Sequence, residues 1–231
     1  MSATEIYGSL SLPPAPADRP YVFINMVTTI DGKTISGERD EAVMDLGSAL
    51  DHELMRRIEG AADAIMVGAG SLRATKGLWY PKDKIRIVVT NSGKLDFKSR
   101  FFSDAPEKAF VAGSADMVRR VGQGGPGRLL AAGDTEFDPR ELLRQLRHDL
   151  RIKRLLIEGG SELNATFLSA DLVDELFLTL APKIKLGRGL PTYAGGEPLP
   201  RERMQEYRLI EQHYVGDEVF LRYRRLPASA G

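Results

Sequence analysis

Three times this chain runs a short apolar segment into small residues and straight on into a helical pattern. The segments are "IMVGAGS" (Ile65 to Ser71), "FVAGS" (Phe110 to Ser114) and "LIEGGS" (Leu156 to Ser161). Parallel strands cannot be joined by a tight hairpin and need a crossover, usually a helix. A repeated strand–turn–helix pattern therefore calls for a mostly parallel sheet with helices packed on it. All such turns then fall on one edge of the molecule, at the carboxyl ends of the strands.

The rest of the chain agrees with that constraint. "YVFINMV" (Tyr21 to Val27) reads as a buried strand, followed by a loop carrying the Asp31-Gly32 turn signal. Leu46, Leu50, Leu54 and Ile58 mark one face of a helix. "IRIVVTNSG" and "GRLLAAG" are further apolar runs closed by turn residues, and Asp138-Pro139 opens a helix running to about Leu150. "LVDELFLTL" (Leu172 to Leu180) reads as a strand with Pro182 ending its ladder. Gly216-Asp217 joins two strand-like runs of the tail into an antiparallel hairpin. The expectation is an α/β, three-layer fold: a mostly parallel central sheet, helices on both faces, and a C-terminal antiparallel hairpin. At 231 residues the chain suits one large domain. No linker divides it, so residues 1–20, extended and Pro/Ala-rich from Pro13 to Pro20, read as an arm, and residues 21–231 as a single domain.

Composition removes several function classes. Lys+Arg and Asp+Glu both count 32, so net charge gives no reason to expect nucleic acid or an anionic membrane as partner. Without cysteine there is no disulfide, no thiolate nucleophile and no Cys-based zinc site of the kind a nucleotide deaminase uses. His52, His148 and His213 lie far apart, with no metal-ligand spacing, and no metal is expected. No apolar run approaches a membrane span and the N-terminus lacks a signal-peptide pattern, so the expected location is cytoplasmic.

The glycine turns admit two readings. Glycine makes tight strand–helix turns wherever they are needed; it also leaves the backbone N–H groups of a helix N-terminus open to a phosphate. Gly159-Gly160 exceeds what a turn requires, and Ser161 is a natural N-cap. In "GAGSLR", Arg73 stands where the dinucleotide fingerprint G-x-G-x-x-G has its last glycine, which argues against an ordinary Rossmann half. The next strand closes with Thr90-Asn91-Ser92, whose hydroxyl and amide groups suit a ribose or a 2′-phosphate better than an acid does. Glu158 closes a strand expected to be buried, where an unpaired carboxylate is costly. It either reaches solvent or a nearby cation, or it contacts a ligand.

Four stretches together resemble the pyrimidine reductase domain of riboflavin biosynthesis, a relative of dihydrofolate reductase. They are "FINMVTTIDGK" (Phe23 to Lys33), "ADAIMVGAGSLR" (Ala62 to Arg73), "LLIEGGSELNATFL" (Leu155 to Leu168) and "LVDELFLTLAPKIKLGRGLPTYAGGE" (Leu172 to Glu197). In order and spacing they cover the chain from about Tyr21 to Arg224. The resemblance implies a dihydrofolate-reductase-like fold and NADPH-dependent reduction of a ribosylaminopyrimidine 5′-phosphate, with hydride transfer to its C1′ imine. NADH or a deazaflavin would be the other hydride donors. It implies a cofactor site at Gly68, Gly70, Ser71 and Leu72, at Thr90, Asn91 and Ser92 for the adenosine end, and at Gly159, Gly160, Ser161, Glu162, Leu163 and Asn164 around the pyrophosphate. Substrate would lie against Asn25, Thr29, Asp31, Lys33 and Glu158, with Lys33 toward its phosphate and Glu158 or a water supplying a proton. A homodimer is implied as well. One departure stands out. The family continues after this glycine turn with an acidic "xDDPxLT" segment, whereas this chain reads Arg73-Ala74-Thr75-Lys76-Gly77-Leu78-Trp79-Tyr80, with no acid. Two alternatives therefore stay open: a reductase of a pterin or another small heterocycle, and a non-catalytic nucleotide-binding protein.

Overall fold

The computed structural model describes residues 5–8, 10–38, 41, 43, 45–75, 80–122 and 128–226. The chain enters the sheet at β1 (Tyr21–Thr29), then runs α1 (Ala49–Gly60), β2 (Ala64–Gly68), α2 (Ala69–Ala74) and β3 (Ile85–Val89). It continues through α3 (Arg100–Ser103), β4 (Ala109–Gly113), α4 (Ala115–Val121), β5 (Arg128–Ala131), α5 (Pro139–His148) and β6 (Arg154–Ile157). The last elements are α6 (Ser161–Ser169), β7 (Glu175–Ala181) and the hairpin β8 (Tyr207–Val215) and β9 (Glu218–Arg225).

Among the described residues, nine strands form one sheet in the order β5-β4-β3-β2-β6-β1-β7-β9-β8. β1 to β7 are parallel, and β9 and β8 add the antiparallel edge. Successive side chains point to opposite faces, and the core divides accordingly. Val22, Ile24, Met66, Ile87, Leu155 and Ile157 pack under Leu142, Leu143 and Leu146 of α5 and Leu163 and Phe167 of α6. On the other face, Phe23, Ile65 and Leu156 meet Leu54 and Ile58 of α1. Beside that cluster, Val67, Val88 and Val111 meet Leu72, Phe101, Phe102 and Met117. The fold is the α/β three-layer arrangement that the alternating pattern requires.

Local departures have local causes. The strand expected from Leu172 begins at Glu175, because Asp174 turns its carboxylate onto the N–H of Val22 (2.8 Å) and onto Arg19 (2.6 and 2.7 Å). α5 starts as its Asp138 N-cap and Pro139 predict but ends at His148, and Arg151 just beyond has a positive φ of 56°. Ser161 does not cap α6: the N-cap is Gly160, and Ser161 is the first helical residue. The short α3 was not signalled by any periodicity. Residues before Tyr21 do more than lead in, since Ile6, Tyr7 and Leu12 are buried against Phe23, Phe177 and Phe220.

Candidate active site

β6 is shorter than both its neighbours. It ends at Ile157, opposite Ile24 on one side and Met66 on the other, while β1 runs on to Thr29 beside β7 and β2 reaches Gly68. The result is a notch in the carboxyl edge of the sheet, and β1, otherwise buried, is only half-buried at Asn25, Met26 and Val27 along it. The notch also lies where connections change face: β1 leads to α1 on one side of the sheet, β6 to α6 on the other. Open α/β sheets bind ligands at such a switch point.

Glu158, Gly159 and Gly160 form the floor. The Glu158 N–H donates to the Met66 carbonyl and the Gly68 N–H to the Gly159 carbonyl, both at 2.9 Å, so the turn is pinned to β2. Gly159 (φ 92°) and Gly160 (φ 71°) both sit in the left-handed region that side chains disfavour. A Cβ on Gly159 would approach the Met26 sulfur to 3.2 Å, and one on Gly160 the Ser71 Oγ to 3.5 Å. Gly68, Ser71, Gly159 and Gly160 are thus drawn together from two turns distant in sequence. α6 has no side-chain cap, so the N–H groups of its first turn lack intrahelical acceptors. The equivalent glycine of the third turn, Gly113, is bare for packing alone: a Cβ there would stand 2.5 Å from the Thr90 carbonyl, and Ser114 caps α4 by accepting from the Met117 N–H (3.2 Å).

Other sequence-selected residues take distinct places. Leu72 and Leu163 are buried in the two opposite cores, and Gly70 and Glu162 are exposed. Asn164 is fully buried and donates its amide to the Tyr193 carbonyl (2.8 Å), which anchors residues 191–196 over the start of α6. Thr90 is turned inward, its Oγ1 accepting from the Gly93 N–H (3.1 Å), while Asn91 and Ser92 are exposed one strand beyond β2. Arg120 of α4 donates to the Asn91 carbonyl (2.9 Å) and brings a guanidinium to this turn, which no motif indicated.

At the end of β1, Asp31 is a turn-former. Its carboxylate accepts from the Thr29 hydroxyl (2.7 Å) and from the N–H groups of Lys185 (3.0 Å) and Leu186 (2.8 Å). The Thr29 hydroxyl and these backbone donors lower its pKa to about 2, so it stays ionised and cannot serve as an acid. The N–H of Lys33 donates to Thr29 Oγ1 (2.8 Å), and Lys33 bridges to Thr192. Residues Lys76–Trp79, central to the segment without acids, lie outside the described residues.

Glu158 settles between its two readings in an unexpected way. It neither reaches solvent with its whole carboxylate nor finds a cation: Oε1 is buried without a hydrogen-bond partner. Burial first, then the charge of Glu59 and a hydrogen bond with it, push the Glu158 carboxyl well above the usual range. Glu59, in the last turn of α1, is raised to about 7, chiefly by burial. Glu175 shows what a structural buried carboxylate looks like here: it accepts from the Tyr21 hydroxyl (2.7 Å), Arg222 Nε and Arg224 Nε (3.1 Å).

Known proteins share this fold. The fold and its notch define a dihydrofolate-reductase-like α/β protein. Dihydrofolate reductase of Enterococcus faecalis, in complex with NADP(H), superposes with a TM-score of 0.51 at 12% identity, over 89% of this chain and 96% of that one. A pyrimidine reductase-like protein of Corynebacterium diphtheriae superposes with a TM-score of 0.74 at 22% identity, over 99% of this chain and 100% of that one. In sequence, the 2,5-diamino-6-ribosylamino-4(3H)-pyrimidinone 5′-phosphate reductase of Methanothermobacter thermautotrophicus is 33% identical over 224 residues, 89% of this chain and 98% of that one. The model of the RibD C-terminal domain family matches residues 20–218, and the chain belongs to that family.

Proposed function

We propose that this chain is a reductase of riboflavin biosynthesis acting on 2,5-diamino-6-ribosylamino-4(3H)-pyrimidinone 5′-phosphate, with NADPH as hydride donor. The observation that carries the reading is a bare Gly159-Gly160 turn at positive φ, set against an uncapped α6 and next to a buried carboxyl with no cation. A dinucleotide fits such a turn. Missing Cβ atoms admit its pyrophosphate to the first-turn N–H groups of α6, where the helix dipole favours an anion. Gly159, Gly160, Ser161 and the backbone of Glu162 would hold the pyrophosphate, with Gly68 and Ser71 opposite. Bound there, NADPH supplies the hydride that reduces the substrate. Asn91 and Ser92, with the Arg120 guanidinium beside them, favour a 2′-phosphate and hence NADPH over NADH or a deazaflavin.

On the substrate side, Asn25 lines the notch, and Thr29 and Asp31 hold the loop that presents Lys33. The Lys33 ammonium serves the 5′-phosphate as a point charge. The choice of the diamino substrate is supported by the similarity to the Methanothermobacter reductase along nearly its whole length. A cytoplasmic homodimer completes the reading: the outer strand β8 leaves Leu209, Ile210 and Tyr214 exposed at the sheet edge, and light scattering checks the dimer. Among the described residues no helix is long and apolar enough to cross a membrane.

Anaerobic NADPH oxidation with the ribosylaminopyrimidinone phosphate tests the proposal, with dihydrofolate in parallel. Turnover of the first alone is expected. Turnover of dihydrofolate alone would move the protein to the pterin reading, and NADPH binding without oxidation of either would make it a non-catalytic nucleotide binder.

A further inference from the structure

Two carboxylate oxygens, Glu59 Oε2 and Glu158 Oε1, are buried on the same face of the sheet, each without a hydrogen-bond partner. Glu158 rises from the notch floor, Glu59 lies in the last turn of α1, and each carboxyl bears on the other's ionisation. The charged and titratable groups facing them are Arg56 on α1, Asp83 and Lys84 ahead of β3, and Tyr80. None is an ion-pair partner of either carboxyl: the Lys84 ammonium donates to the Gly60 (3.3 Å) and Ala62 (2.8 Å) carbonyls, and the Tyr80 hydroxyl pairs with Thr75 (2.9 Å). Two neighbouring buried carboxyls with no ion-pair partner are not both ionised, and a proton shared between them turns two acceptors into a donor and an acceptor.

We propose that Glu59 is a positioning residue that keeps a proton on Glu158, and that Glu158 delivers this proton to the substrate nitrogen during reduction. The inference rests on the reductase reading above. Reduction of a C=N bond adds a hydride to carbon and a proton to nitrogen. The hydride comes from the reduced nicotinamide dinucleotide; the proton leaves Glu158 as its O–H bond breaks and an N–H bond forms. The pair is left with one more negative charge and regains its proton from water, which the partly exposed Glu158 reaches. Glu59 raises the cost of ionising Glu158 twice over, by its own charge and by the hydrogen bond that only the protonated partner can make. Because the two titrate as a unit, their proton loss belongs to the pair.

Glu59→Gln keeps the shape and a hydrogen bond while removing the charge. Two readouts are taken: kcat/KM against pH, and the carboxylic-acid C=O infrared band of the free protein through a pH titration, with Glu158→Gln as the assignment control. The alkaline limb of the profile and the loss of the band are expected to move together to lower pH by about one unit or more, with dinucleotide affinity unchanged. Activity lowered by the same factor at every pH, with no shift, would reduce Glu59 to a structural role and overturn the inference. So would a wild-type band that is absent above the ordinary carboxylate range. If the wild type turns over no ribosylaminopyrimidine phosphate, the reductase reading falls and the proton delivery with it. The infrared titration then still decides whether Glu59 holds the proton.

Discussion

Buried glutamates in this molecule differ by what faces them. Glu175, wholly buried, sits among Arg222, Arg224 and the Tyr21 hydroxyl; Glu158 faces another acid. Removing one partner of a buried ion pair leaves its counter-charge uncompensated, so Glu175→Ala should lose about 3–5 kcal/mol of stability, read from urea unfolding. Glu59 should behave in the opposite sense. Its folded carboxyl holds its proton up to about pH 7, against an ordinary value of 4.5. Over that interval the native state binds more protons than the unfolded one, so stability falls as pH rises through it. Glu59→Gln should flatten that slope and make the protein about 1–3 kcal/mol more stable than wild type at pH 8. Urea midpoints that track the wild type from pH 4 to 8 would show that the carboxyl is not held up. Sequence exposed one member of the pair only. Glu158 stands out as an acid ending an apolar run, but Glu59 follows Ile58 at the rim of a helical stripe, where an acid ordinarily reads as solvated.

Elements were legible wherever a local pattern decides them. Strand–turn–helix order, the Asp138-Pro139 start of α5 and the Gly216 hairpin all follow from turn chemistry and periodicity. What escaped depends on contacts between distant segments: the late start of β7 set by Asp174 clasping Val22 and Arg19, and the displacement of the α6 cap from Ser161 to Gly160. The grouping of Gly68 with Gly159 and Gly160 came from the resemblance and from no local pattern, since it depends on the sheet order that brings β2 beside β6. Gly160 is the position to test. Its φ of 71° and the Ser71 hydroxyl leave no place for a branched side chain. Gly160→Val should weaken NADPH at least ~10-fold in a fluorescence titration, since a lost or displaced charge-assisted hydrogen bond accounts for about 1.5–3 kcal/mol. Unchanged affinity would sink the pyrophosphate assignment.

For the whole molecule, the N-terminal arm is part of the core. Ile6, Tyr7 and Leu12 are at most 7% exposed, the Tyr7 ring packs edge-on against Phe177 at 5.1 Å, and its hydroxyl donates to the Leu221 carbonyl (3.1 Å). Deleting residues 1–12 should cost several kcal/mol, at about 1.5–3 kcal/mol per large apolar side chain, and lower the melting temperature. A truncated protein as stable as the full chain would contradict the packing described. The early end of β6 has a different consequence. Beyond Ile24 the rungs of β1 toward β6 stop, while those toward β7 continue to Ala181. Main-chain donors and acceptors on that open edge belong to no particular side chain. Replacing Asn25 or Val27 leaves them in place, so what the notch offers there is encoded by where a strand ends. A relative sharing only a third of its residues with this chain needs no particular side chain at Asn25 or Val27 to keep that edge.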